Sequence, residues 1–257
     1  MRWLIAWNYK IDEIVPKYKK LSNVMKCLKL NELEEIDDFD KINEYVAKLV
    51  PGAKYFPGGL MGYDKEGYVI IFQAIAQTCP KELVKCGRVS DMYHMALIDF
   101  VLTYKLIRKQ EKIHKRRLGI KLVCDTDGWS MDLLYMPTVK MYMNLIRFVQ
   151  EMFPELAKTL IVINAPPMMS TIYQLFKPAF AEATREKIVF YGKDYKSKLT
   201  EEFGAEHLFE KWGGSKLPQN GVPTGSLRVG APPPDHIKYD PTKNPHHIDN
   251  KKLTKLN

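Results

Sequence analysis

Nowhere in the 257 residues do about 20 apolar residues run together, so the chain lacks the unbroken segment that a membrane span requires. The start, Met1-Arg2-Trp3-Leu4-Ile5-Ala6-Trp7-Asn8, is apolar but has no long hydrophobic run and no small-residue cleavage site, which argues against a signal peptide. Cysteine is scarce. Cys27, Cys79, Cys86 and Cys124 stand singly, with no CxxC and no histidine at finger-like spacing, so reduced cytosolic thiols are expected rather than a zinc module. There is also no GxSxG elbow, no Walker loop and no GxGxxG. His94, His114, His207, His236 and the His246-His247 pair have no companions at catalytic spacing, and these absences together argue against an enzyme.

What is present fits a globular fold. The chain is 46% hydrophobic and 27% charged, and its length suits one large α/β domain with a short annex. A formal charge of +9 invites a polyanionic partner, either nucleic acid or an anionic membrane surface. Much of that charge lies in residues 105–121, where Lys105, Arg108, Lys109, Lys112, Lys115, Arg116, Arg117 and Lys121 face a single acid, Glu111. This run reads equally as a solvated helix end or as a patch for lipid headgroups. No RNP or finger motif accompanies it, so no nucleic-acid partner is expected.

Residues 1–50 carry apolar positions at helical spacing, as in Ile11, Ile14, Val15, Tyr18 and Leu21, with Pro16 an expected interruption, and predict a small helical annex. Turn signals at Pro51-Gly52 and Pro57-Gly58-Gly59 precede the β-branched and aromatic run 68–72, a buried strand. A helix capped by Ser90 is expected to about residue 112, and three further strands at 120–124, 160–163 and 188–191. Helices at 133–152 and 168–176 separate them. Strands divided by such helices predict a mostly parallel sheet flanked by helices. From Lys216 onward the chain holds seven of the sixteen prolines and no sustained apolar period, so residues 215–257 read as an irregular tail that adds no core.

The most enzyme-like feature is Asp125-Thr126-Asp127-Gly128 after the strand 120–124, two carboxylates that could hold Mg²⁺ for phosphoryl chemistry. This is similar to the opening of haloacid-dehalogenase-type phosphatases, but the later acidic pair of that family is replaced here by Asn164-Ala165-Pro166-Pro167. The competing reading is structural: Asp127 and Gly128 shape a turn and Ser130 caps the next helix.

The stretch 153–214 is more specific. It contains Phe153-Pro154-Glu155-Leu156, Leu160-Ile161-Val162-Ile163-Asn164-Ala165-Pro166, Phe176-Lys177-Pro178-Ala179-Phe180, Thr184-Arg185-Glu186-Lys187-Ile188 and Phe209-Glu210-Lys211-Trp212-Gly213-Gly214. In that order these resemble the CRAL-TRIO, or Sec14-like, lipid-binding domain, animal members most closely. The likeness extends upstream through Cys124 to Gly128 and Gly59 to Asp64, covering most of residues 55–214, and Arg2-Trp3-Leu4 with Asn8-Tyr9 resembles the end of the short helical module that precedes such domains. The annex then reads as a shortened form of that module.

The resemblance implies a sheet floor, a helical gate over it and one enclosed hydrophobic molecule carried between membranes, with no catalytic residue and no cofactor. The gate maps onto 176–187; Ile172 and Leu175 just before it, with Phe176 and Phe180 within it, recur at 3 to 4 residue spacing while Lys177, Glu182, Arg185 and Glu186 can face water. Glu155, Thr184 and Lys187 match the headgroup contacts of phosphatidylinositol-binding members, or else Glu155 and Lys187 form an ordinary ion pair. Ile5 and Trp7 stand where the family carries arginines, and Ile120 and Leu122 where phosphatidylcholine binders carry hydroxyls. The ligand therefore stays open between phosphatidylinositol and a tocopherol, retinoid or isoprenoid. A cytoplasmic protein, peripheral at anionic membranes, is expected, and the tail could address a protein partner, which would make the chain a lipid-responsive regulator.

Overall fold

Hydrogen bonding in the computed structural model, which describes residues 1–85, 87–217 and 224–228, joins five strands into one sheet in the order of the sequence. β1 (Gly58–Tyr63) and β2 (Val69–Gln73) are antiparallel, because only a short turn connects them. The Asp64 carboxylate shapes that turn by accepting the N–H groups of Glu66 and Tyr68 at 2.9 and 2.8 Å. β3 (Ile120–Asp125), β4 (Ala157–Ile163) and β5 (Ile188–Phe190) each join in parallel after a helical crossover. The expected mostly parallel α/β sheet flanked by helices is the fold observed.

β1 was not expected as a strand, since its glycines read as a turn. Gly59 sits at φ +149, and a Cβ on it would run into the Asn43 side-chain oxygen, so the glycine lets that amide lie against the sheet edge.

Among the helices, α1 (Arg2–Ala6) and α2 (Ile11–Cys27) lie outermost, and Ile14 is the buried residue of the pair. α2 runs through Pro16, contrary to the expected interruption. Proline there forfeits only the bond to the exposed Asp12 carbonyl in the opening turns of the helix. α3 (Phe39–Leu49) buries Ile42, Val46 and Leu49 in the same core as the sheet, so the annex is continuous with the main domain. After α4 (Pro80–Lys85), α5 (Val89–His114) begins at Arg88, whose N–H donates to the Asp91 carboxylate at 3.0 Å, and Ser90 is not its cap. α6 is Met136–Met152, α7 Met169–Phe176, α8 Glu182–Arg185 and α9 Tyr195–Phe203.

One sheet face, with Ile70, Phe72, Val123, Ile161 and Ile163, is sealed by Leu199 and Phe203 of α9 and by Leu208, Phe209 and Trp212. The other carries Leu60, Val69, Ile71 and Ile120 and packs on α3 and α5. Within the expected tail, Gly58 and Arg228 exchange backbone hydrogen bonds of 2.9 Å in both directions, and Leu227 is buried beside Met61 and Trp212. The tail thus does add to the core. The rest of the residues expected to form it lie outside the described residues, apart from 215–217 and 224–228.

Candidate functional site

β3 and β4 alternate between a closed and an open side. Val123, Ile161 and Ile163 are fully buried, whereas their neighbours Leu122, Cys124, Leu160 and Val162, on the opposite face, are only half-buried. The register sets Leu122 beside Leu160 and Cys124 beside Val162, with Ile188 and Phe190 of β5 continuing the strip. The outcome is a continuous apolar floor that the helices do not seal.

Three groups mark how deep the space above this floor runs. Burial, reinforced by the adjacent Asp125 charge, pushes the Cys124 thiol up to about 12. Burial likewise raises the Tyr142 phenol, and it raises the Asp99 carboxyl against the opposing pull of Arg228. All three side chains nevertheless keep part of their surface open. Desolvation combined with residual exposure is what residues lining a ligand pocket would show.

The segment expected to gate it is broken rather than a single helix. α7 ends at Phe176, a 3₁₀ turn occupies Lys177–Ala179, Phe180 is extended, and α8 is a single turn. Pro178 has no N–H to continue α7, and the 3 to 4 residue spacing of the apolar side chains did not reveal that break. Ile172 is buried, and Leu175, Phe176 and Phe180 are half-buried, while Lys177, Glu182 and Glu186 are exposed. The ring of Tyr173 meets Phe190 edge-on at 5.4 Å, which seats α7 over β5. Sequence reasoning missed Gln150 of α6. Its amide donates to Ala179 O at 2.9 Å and accepts from Ala181 N at 3.0 Å, pinning the segment on both sides of Phe180. Gln150→Leu should therefore speed hydrogen exchange of the Ala181 amide by about five- to tenfold, as expected for a lost bond of about 1 kcal/mol. Unchanged exchange would show that other contacts hold the segment.

At the amino ends of the strands, Lys187 Nζ pairs with Glu155 Oε2 at 3.6 Å, both side chains being about 30% exposed. Lys187 is fixed by its carbonyl, which accepts from Leu160 N, and by its N–H, which donates to Thr184 O. Thr184 lies on the preceding turn, and its hydroxyl bonds to neither partner. Glu155 takes a left-handed backbone conformation at φ +53. The Arg2 guanidinium holds this corner by donating to the carbonyls of Glu155 and Leu118 and to Glu111 at 2.6 Å. Sequence reading gave Arg2 no such role.

Asp125 and Asp127 do not form a metal pair. Asp125 is buried, and its carboxylate accepts from Asn164 at 2.8 Å, from the Asp127 backbone at 3.0 Å and from the Trp212 indole at 3.3 Å. Those donors occupy the lone pairs a cation would need and tie the ends of β3 and β4 to Trp212. Gly128 turns the chain at φ +82, but the Ser130 side chain makes no cap. Among the described residues no group of three or more His, Cys, Asp or Glu side chains is placed to hold a metal.

The basic run 105–121 is largely engaged with its own fold. Lys105 donates to Leu33 O, Lys109 pairs with Glu35 and Asp37, Arg108 with Glu111, Arg116 with Glu66, and Lys121 is buried. Among the described residues no helix is long and apolar enough to cross a membrane.

Comparison with known proteins agrees with this geometry. The CRAL/TRIO domain profile matches residues 53–214. Protein real-time of Aedes aegypti is 27% identical over 193 residues, covering 75% of this chain and 28% of that protein. Protein real-time of Drosophila melanogaster is 29% identical over 195 residues, covering 76% and 28%. The matched part is thus under a third of the length of these relatives. The crystal structure of Sfh5 superposes with a TM-score of 0.63 at 17% identity, over 91% of this chain and 75% of that one.

Proposed function

Since the chain belongs to the CRAL/TRIO domain family, we propose that it encloses one lipid between the floor of β3, β4 and β5 and the segment 169–187, and releases it at a membrane. The observation that carries this reading is the half-open apolar strip of Leu122, Cys124, Leu160, Val162 and Ile188, set against an opposite face where Val123, Ile161 and Ile163 are buried. An unfilled strip of this kind forfeits burial worth about 25 cal/mol for each Å², which an acyl or isoprenoid chain would recover. The break at Lys177-Pro178 and the Gln150 clip supply a hinge for loading. Leu175, Phe176 and Phe180 are the side chains that would close over the ligand.

Glu155, Thr184 and Lys187 form the polar mouth in this reading. A 3.6 Å ion pair at partial exposure is loose enough to open, leaving Lys187 for a phosphate and Glu155 for an inositol hydroxyl. Transfer rather than catalysis fits a floor whose thiol, Cys124, is held protonated at neutral pH.

Purified full-length protein, analysed by native mass spectrometry and then by organic extraction, is expected to carry one copurifying lipid per chain. Repeated recovery of lipid-free protein that takes up no lipid from vesicles would overturn the reading.

A further inference from the structure

The opposite end of the hollow holds charged and polar groups that nothing in the fold satisfies. Arg228 enters there from the strand-like segment paired with Gly58 and is 8% exposed. Its Nε donates to Phe56 O at 3.1 Å, but both terminal nitrogens, Nη1 and Nη2, are buried without a partner. Asp99 of α5 is the acidic group whose charge acts on Arg228, yet the two form no ion pair, and Asp99 bonds to no described residue. The hydroxyls of Thr78 and Tyr142 interact with each other but make no well-formed hydrogen bond. The Tyr142 ring packs on Phe56, 5.7 Å between centroids, and so belongs to the same corner. A lone buried guanidinium with idle donors is costly, and so is a desolvated carboxylate within range of its charge but not paired with it. Native folds keep such groups where a ligand or an ordered water completes them.

The position is specific. Gly58 pairs with Gln73, and Gln73 with Cys124, so Arg228 stands at the carboxyl end of the strands, where open α/β sheets bind ligands. Glu155 and Lys187 stand at the amino end, next to Ile120 and Leu160. Four or five residues of strand, roughly 13–16 Å, separate these poles. The hollow therefore has two polar ends and an apolar middle.

We infer that Arg228 and Asp99 form an inner subsite that anchors the buried end of the ligand through a neutral hydroxyl, which accepts from the guanidinium and donates to the carboxylate. This rests on the enclosure reading above and adds to it an orientation and a head-group class. A hydroxyl supplies one donor and two acceptors, which matches a facing pair of formal charge +1 and −1. A phosphodiester or carboxylate would leave Asp99 facing a second negative charge. Tyr142 and Thr78 complete the polar lining.

The test uses three polyene probes with one common tail, cis-parinaryl alcohol, cis-parinaric acid and methyl parinarate, titrated by fluorescence into delipidated full-length protein. The alcohol is expected to bind at least about tenfold tighter than the ester, since a hydrogen bond to a charged group contributes about 1.5–3 kcal/mol. Arg228→Met should bring the alcohol to the level of the ester while leaving the ester unchanged, which also reports that the hollow is intact. Asp99→Asn, which keeps the shape, should weaken the alcohol severalfold and leave the ester alone. Equal binding of alcohol and ester to the unaltered protein overturns the subsite, leaves lipid enclosure standing, and assigns the idle groups to water. Tightest binding by the acid, lost in Arg228→Met, overturns the hydroxyl class. Failure of all three probes to bind counts against enclosure itself.

Discussion

Lys121→Met is expected to lower the unfolding free energy by about 3–5 kcal/mol, the range for removing one partner of a buried ion pair. Lys121 is 1% exposed, second in β3, and reaches Asp64 at 2.7 Å, Glu202 at 2.7 Å and Glu66 at 3.4 Å, with the rings of Tyr68 and Phe203 against its ammonium. Glu66 and Glu202 are over a third exposed and can turn to water, so the loss falls on Asp64, whose side chain is fully buried. Asp64→Asn on top of Lys121→Met should recover much of the deficit, because no net charge then remains inside. Burial opposes the Lys121 charge, but the bonds to Asp64 and Glu202 outweigh it and hold its pKa above the ordinary lysine value of 10.5. A raised folded pKa contributes stability that is complete below the unfolded value and fades as pH rises through the folded one. The gap between Lys121→Met and the unaltered chain should thus persist at neutral pH and narrow in strong alkali. Urea midpoints measure it, and a loss under about 1 kcal/mol would mean that water screens the cluster.

Why Lys121 reads as one more charge of the basic run 105–121 rather than as a buried one is a matter of side-chain direction. Ile120 and Leu122 mark a dry strand, and the residue between them points to the opposite face, where a carboxylate cluster from separate segments awaits it. β2, β3 and β4 are legible because both of their faces carry apolar side chains, which gives continuous runs such as Leu160-Ile161-Val162-Ile163. β1 is not, since Gly58, Gly59 and Gly62 take up half of its positions and leave no pattern to read. In α9 the apolar residues Tyr195, Leu199 and Phe203 do keep a four-residue spacing, but the lysines and glutamates between them hide it. Glu155 and Lys187 were legible through family likeness, and the structure pairs them. Arg228 was not, because in a proline-rich stretch it looks like a surface charge until the Gly58 bridge holds it against the sheet edge. Gln150 and Arg2 act on backbone carbonyls, and no sequence pattern marks a carbonyl.

Asn43→Leu should cost about 2–4 kcal/mol, through backbone groups it leaves unpaired rather than through volume, since each buried orphan costs about 1–3 kcal/mol. Asn43 is 1% exposed, and its amide behaves as a short sixth strand at the sheet edge: Oδ1 accepts Leu60 N at 2.7 Å, and Nδ2 donates to Leu60 O and to Ser226 Oγ, both at 2.8 Å. Leucine fills a similar space and satisfies none of these atoms. Asn43→Asp keeps the acceptor but buries a charge and sets a carboxylate oxygen against the Leu60 carbonyl, so it should cost at least as much. Gly59→Ala attacks the same contact from the strand side, where the new Cβ would meet the amide oxygen, so the double variant with Asn43→Leu should cost less than the two losses added. Ser226 is two residues from Arg228, and the Gly58 bridge is the next contact along that edge. Loss of the amide should therefore also expose the Leu60 amide to hydrogen exchange and weaken retention of Arg228 in the hollow, so that alcohol binding falls along with stability. Full protection of Leu60 in Asn43→Leu, with stability within about 1 kcal/mol of the parent, would assign the edge to the Gly58–Arg228 bridge instead.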